Sequence, residues 1–283
     1  MARSTAGEDS NVTSPKVARH DTRKVVRGTP QQQMVDELAV EEPLEIRVNN
    51  DPVVVTMRTP GDDFDLAAGY LVTNGVLKSP DQVAAIRYAQ QSEHPDQRNT
   101  VNVQLASGVK ADVNRLKKLL GATSPHGMCA KTAIEHAMNG TKANHSKLRL
   151  KLEMFYTLGT ALRRAQTVFE RTGGLFAAGL FDAHGTLVGL REDVMRLNAV
   201  DKLIGSMFLN EKMPLDKHIL LVSGRACYDV MVKALKAGVP VVCTVGGPSS
   251  LAVQFAQTTN LTLIGFLTSE AYNVYSGAER IEV

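Results

Sequence analysis

The chain has 283 residues, 43% hydrophobic and 22% charged, with a net charge of +3 and no tryptophan. That length supports one large domain or two small ones around a real core, and so slight a charge gives no argument for nucleic acid as a partner. The longest apolar run, around VPVVCTV, has the length of a strand and falls far short of a membrane span. No apolar core of a secretory signal opens the sequence. Cys129, Cys227 and Cys243, sparse and odd in number, form no disulfide framework. A cytoplasmic protein with no membrane partner is expected.

Residues 1–35 are rich in Ser, Thr, Arg, Gln and Gly without hydrophobic period, which predicts a disordered polar tail. Order is expected from LAVEEPLEIRVNNDPVVVTM. There Leu44, Ile46 and Val48 alternate with polar residues, and Val53, Val55 and Met57 alternate again after Asn49-Asn50-Asp51. This is the pattern of a β-hairpin with one buried face. DFDLAAGYLV reads as a helix with an acidic first turn, stopped by Asn74-Gly75. VNVQLA and VKADV suggest a further strand pair, so 36–115 is predicted to be a small α+β domain.

Residues 116–283 have another rhythm. Met154, Phe155, Leu158, Ala161, Leu162, Ala165 and Phe169 fall on one helical stripe over 151–170. GGLFAAGLFDAHGTLVGL reads as strand, turn and returning strand, and REDVMRLNAVDKLIGSMFL as a helix. Strand ILLV, helix 226–237 stopped by Gly238, strand VPVVCTV, helix 251–258 and strand LTLIGFL then predict parallel strands with right-handed crossovers.

In open parallel sheets ligands gather beyond the carboxyl ends of the strands. Ser223-Gly224-Arg225 follows one such strand, and Gly246-Gly247-Pro248-Ser249-Ser250 follows the next. Each loop joins glycine and hydroxyls to a helix N-terminus, whose free N–H groups favour anions, and Arg225 adds a fork that suits phosphate. Glycine and serine also make short connections with no further role, so a phosphate-bearing ligand is one of two open readings. Arg191, Glu192, Asp193, Arg196, Asn198, Asp201 and Lys202 crowd into twelve residues. They read either as a solvated helix face with i,i+4 pairs or as the polar wall of a pocket.

TSPHGMCAKTAIE places Cys129 three residues after His126, in a loop running into a helix-like stretch, with Lys131 beside it. A helix N-terminus and a nearby cation stabilise a thiolate. A zinc site needs three or four ligands, and H-x-x-C supplies two. No motif marks the oxyanion hole of a papain-like site, and the zinc-deaminase pattern H-x-E…P-C-x-x-C is absent. Cys227 and Cys243 read as core thiols in a helix and an apolar strand.

The long motifs EEPLEIRVN, TMRTPGDDFDLAAGYL, TGGLFAAGLFD, REDVMRLNAVDK, LLVSGR, PSSLAV and LTLIGF together resemble the FdhD family, the formate dehydrogenase accessory sulfurtransferases. The resemblance implies a cytidine-deaminase-like, three-layer α/β domain with a smaller N-terminal α+β domain, usually in a homodimer. It implies a sulfur carrier that takes a persulfide from a cysteine desulfurase. The sulfur then goes to the Mo-bis(molybdopterin guanine dinucleotide) cofactor, or its tungsten counterpart, for the formate dehydrogenase apo-enzyme. The two glycine loops, Arg191, Glu192, Asp193, Asn198, Asp201 and Lys202 would line the pocket for that guanine-nucleotide-containing cofactor. Phe266, Leu267, Thr268, Ser269, Glu270 and Ala271 occupy the stretch that the family also assigns to cofactor binding.

The chain departs from the family at the carrier loop, which usually reads C-G-x-C-G. His126 stands in place of the first cysteine, Cys129 remains and Ala130 replaces a glycine. Phe176 and Leu197 replace histidines, and Met195 replaces a glycine. A deaminase-like fold acting on a nucleotide is disfavoured by the missing zinc-deaminase pattern, and two further readings follow. In one the chain is a one-cysteine carrier using Cys129, with His126 assisting proton transfer. In the other it is a paralogue that binds the cofactor or apo-enzyme as a chaperone without carrying sulfur.

Overall fold

The computed structural model describes residues 16–89, 98–110 and 142–282. Order begins earlier than the polar N-terminal composition predicts. β1 (Val17–Lys24) and β2 (Gln32–Ala39) form an antiparallel ribbon, in register from Val17↔Ala39 to Lys24↔Gln32. The tail expected over 1–35 is therefore corrected from Val17 onward. Both faces of the ribbon are largely exposed, so no apolar alternation marks it. Its backbone ladder and a forked bond from Arg171 to both carboxylate oxygens of Glu37, each 2.8 Å, hold it.

β3 (Glu42–Val48) and β4 (Asp51–Arg58) are the predicted hairpin. Asn49 and Asn50 take positive φ, 50° and 71°, the conformation a tight hairpin turn demands and asparagine tolerates. α1 (Asp63–Thr73) ends at Asn74 as expected. The pairing beyond it differs from the sequence reading. β6 (Thr100–Leu105) is flanked by β5 (Val83–Tyr88) and β3, in a sheet ordered β4-β3-β6-β5. Val109 and Lys110 lie outside any strand, and the rest of VKADV lies outside the described residues. The half-buried VAAIRY of β5 has weak alternation, so its strand character was not visible.

β7 (Leu150–Lys151) leads into α2 (Phe155–Ala165) and α3 (Thr167–Thr172). The single helix read over 151–170 breaks at Gln166, where φ −77° and ψ 77° are non-helical. Glu192 explains the restart: its carboxylate accepts from the backbone N–H groups of Val168 (3.0 Å) and Phe169 (2.8 Å) in the first turn of α3. β8 (Phe176–Phe181) and β9 (Leu187–Asp193) follow, then α4 (Arg196–Leu209). Arg191, Glu192 and Asp193 thus end a strand, where the sequence reading had them open a helix.

The remaining elements are β10 (Ile219–Val222), α5 (Tyr228–Lys236), β11 (Val241–Thr244), α6 (Ser250–Thr259), β12 (Thr262–Gly265), β13 (Asn273–Ser276) and β14 (Ile281–Glu282). The main sheet is ordered β13-β12-β11-β10-β8-β9, with β10, β11 and β12 parallel as predicted. Alternation along these strands divides the sheet into two faces. Ile219, Leu221, Val241, Cys243 and Ile264 pack with Phe155, Leu158 and Leu162 of α2. Leu220, Val222, Val242 and Leu263 pack with Val200, Leu203, Val230 and Phe255 of α4, α5 and α6. The result is a three-layer α/β fold.

The small sheet shares this second core, since Leu44, Ile46, Leu66, Leu71 and Val101 belong to the same cluster. α1 and α4 meet at glycine. A Cβ on Gly69 would fall on the Asp201 carbonyl, and one on Gly205 on the Asp65 carbonyl. Only residues without a side chain permit that approach.

Candidate functional site

β8 is antiparallel to both β9 and β10, so the start of β8 and the ends of β9, β10, β11 and β12 share one edge. α4, α5 and α6 all begin there. Three loops are stitched together across it: the Gly246 N–H donates to the Gly224 carbonyl (3.0 Å), and the Phe266 N–H to the Gly246 carbonyl (3.2 Å). The Ser249 N–H reaches the Ala226 carbonyl (2.9 Å). The structure therefore brings together Ser223, Gly224, Arg225, Pro248, Ser249, Ser250, Phe266 and Leu267, from three segments spread between residues 223 and 267.

Within this edge the residues differ in what they leave free. Ser223 Oγ accepts from the Ala177 N–H (2.9 Å) and fixes its loop to β8. Ser249 Oγ caps α6 by accepting from the Ala252 N–H (3.2 Å). Leu267 is buried beneath the edge. Thr268 closes a turn, with Oγ1 accepting from the Glu270 (3.2 Å) and Ala271 (3.0 Å) N–H groups. Arg225, Ser250, Ser269, Glu270 and Ala271 are exposed. Phe266 stands at φ 54°, a left-handed conformation that bulky residues rarely adopt, and its ring is half exposed.

The REDVMRLNAVDK cluster lies elsewhere. Lys202 is fully buried, its Nζ 2.7 Å from Asp193 and 2.7 Å from the Thr59 carbonyl to which it donates. Asp193 also accepts from the Thr59 (3.2 Å) and Met195 (2.8 Å) N–H groups. Asp201 is buried between Lys233 (2.8 Å) and the Thr73 hydroxyl (2.8 Å). Asn198 donates to the Met57 carbonyl (2.7 Å), and Arg191 binds Asp65 (2.7 Å) and the Ser206 hydroxyl (2.7 Å). These side chains tie the small sheet and α1 to the main domain. Neither the solvated face nor the open polar wall describes them.

Arg196, read in the sequence as part of a solvated helix face or of a pocket's polar wall, is the member of the cluster that reaches the edge. Its guanidinium carbon lies 5.8 Å from the centroid of Phe176, and Nη2 lies 3.6 Å from Cys227 Sγ. Its Nε is buried without a hydrogen-bond partner. Cys227 is half-buried just ahead of α5, where the sequence suggested a core thiol. Cys243 is a core thiol, and burial pushes its thiol far up. Cys129 and His126 lie outside the described residues.

A three-layer α/β domain with an anion-inviting strand edge defines the class of the molecule. Residues 39–282 match the FdhD/NarQ family, and the chain belongs to it. It is 45% identical to the sulfur carrier protein FdhD of Streptomyces coelicolor, over 87% of this chain and 89% of the relative. The sulfur carrier protein FdhD of Mycobacterium tuberculosis is 43% identical, over 86% and 91%. That of Saccharolobus solfataricus is 38% identical, over 87% and 91%. The fold is similar to that of a formate dehydrogenase accessory protein from Desulfotalea psychrophila, with TM-score 0.75 and 24% identity, over 95% of this chain and all of the other. Among the described residues no helix is long and apolar enough to cross a membrane.

Proposed function

We propose that this chain is a sulfur carrier for formate dehydrogenase maturation. It takes sulfur from a cysteine desulfurase as a persulfide on Cys129 and passes it to Mo-bis(molybdopterin guanine dinucleotide), which is its substrate. In the loading step the Cys129 thiolate attacks the outer sulfur of the desulfurase persulfide. The desulfurase S–S bond breaks, its cysteine leaves as a thiolate, and Cys129 holds the sulfur. His126 is placed three residues away in sequence to accept the Cys129 proton.

The observation that carries this reading is the edge itself, in a chain of this family. The N-termini of α4, α5 and α6, together with the exposed Arg225, all favour an anion. The orphaned, buried Nε of Arg196 is a donor that a phosphate oxygen would satisfy. Those residues fit a pyrophosphate-rich ligand.

Intact-mass spectrometry after incubation with a cysteine desulfurase and cysteine tests the carrier role. A reducible gain of one sulfur atom, lost in Cys129→Ala and kept in Cys227→Ala and Cys243→Ala, is the expected result. A folded protein that binds GDP yet takes no sulfur on Cys129 would instead be a chaperone for the cofactor.

A further inference from the structure

Phe176 is the first residue of β8, and the five residues after it are buried while its own ring is 39% exposed. The ring is held in place. A Cβ on Gly224 would come 3.2 Å from its Cδ1, so the glycine is a seat for the ring. The Arg196 guanidinium stands beside it, braced against Cys227 and with Nε unpartnered. A phenyl ring fixed beside a cation, at the edge where three helices begin, is a surface for a flat, electron-rich group attached to phosphates. Nucleobases stack on such rings without regard to hydrogen-bond pattern.

We propose that Phe176 is the stacking surface for the base of a nucleotide ligand and so sets the preference of this edge for a nucleotide over bare pyrophosphate. The inference rests on the pocket reading above and deepens it by assigning the base. Phe266 is seated in the same way on Gly247, in the loop whose Gly246 N–H bonds the Gly224 carbonyl, so the two rings flank adjacent loops of one edge.

The chain contains no tryptophan, so Phe176→Trp installs a single indole at the position in question. GDP and inorganic pyrophosphate are titrated against the wild type, F176W and F176L, with calorimetry for all three and fluorescence for F176W. Stacking predicts that GDP quenches the indole and pyrophosphate does not. It also predicts that F176W keeps GDP affinity, while F176L loses about tenfold or more for GDP and nothing for pyrophosphate. Unchanged GDP affinity in F176L, or equal losses for GDP and pyrophosphate, would overturn the assignment and leave the pocket standing. A wild type that binds neither ligand would overturn the pocket reading, and this assignment with it.

Discussion

Lys202 and Asp193 are both shut off from water, and each has the other as its counter-charge at 2.7 Å. Removing one charge strands the other in low dielectric, which costs far more than the pair contributes. Lys202→Met should therefore lower unfolding stability by about 3–5 kcal/mol in urea titration, and the double variant with Asp193→Leu should recover much of that loss. His218 supplies a pH dependence. Burial, with Nδ1 left unpartnered, holds its pKa below the ordinary histidine value, against the pull of Asp182 and Asp216. With the folded pKa lowered, its contribution is full above the unfolded value near 6.5 and is lost as pH falls through the folded one. Stability measured between pH 7 and pH 5 should fall, and His218→Phe should flatten that decline. The roles of Asn198, Asp201 and Lys202 were not legible as such. Their long-range partners Met57, Thr73, Lys233 and Thr59 are 32 to 143 residues away, and a buried ion pair and a solvated one look alike in a helical pattern.

Buried elements were readable, because one-sided burial imprints a period on a strand and two-sided burial leaves a continuous apolar run. β3, β4 and the parallel strands β10, β11 and β12 followed directly from Leu44-Ile46-Val48 and from ILLV, VVCT and TLIG. The β1–β2 ribbon buries neither face, and the break between α2 and α3 depends on a carboxylate from β9, so neither left a local signal. The glycines of α1 and α4 were likewise silent until the helices were seen to cross. Gly205→Ala drives a methyl group into the backbone of α1 at Asp65. The helices must separate, and a loss of about 1–3 kcal/mol or more is expected. Thermal unfolding of Gly205→Ala beside Gly159→Ala checks this, since a Cβ at Gly159 meets only the Leu267 carbonyl, at 3.9 Å, and should cost far less.

For the whole molecule, the boundary drawn between 36–115 and 116–283 separates two sheets but not two cores. Leu44, Leu66 and Val101 pack in one cluster with Val200, Leu220 and Phe255, and the Thr73–Asp201–Lys233 and Thr59–Lys202–Asp193 contacts cross the same seam. Unfolding is expected to be one cooperative transition. Hydrogen exchange on β3 and on β11 under rising urea should report the same midpoint, and separate midpoints would mean independent domains. The edge was legible in outline, because the strand-glycine-helix order of SGR and GGPSS places both loops without coordinates. Arg196 was read in a possible pocket wall and Phe176 as a replaced histidine, but neither could be placed at this edge, since nothing local says that β8 runs against β10.

That reversed strand also sets when the edge can exist. Its first ring is laid down at Phe176, its cation at Arg196, its loops at Gly224 and Gly247 and its last ring at Phe266, so the ribosome must make nearly the entire chain before any of it can close. A nascent chain halted in α6 has β10 and β11 but lacks β12, the strand that pairs with β11 and carries Phe266. Only chains made past Phe266 can present the complete edge, and fragments that end in α6 cannot.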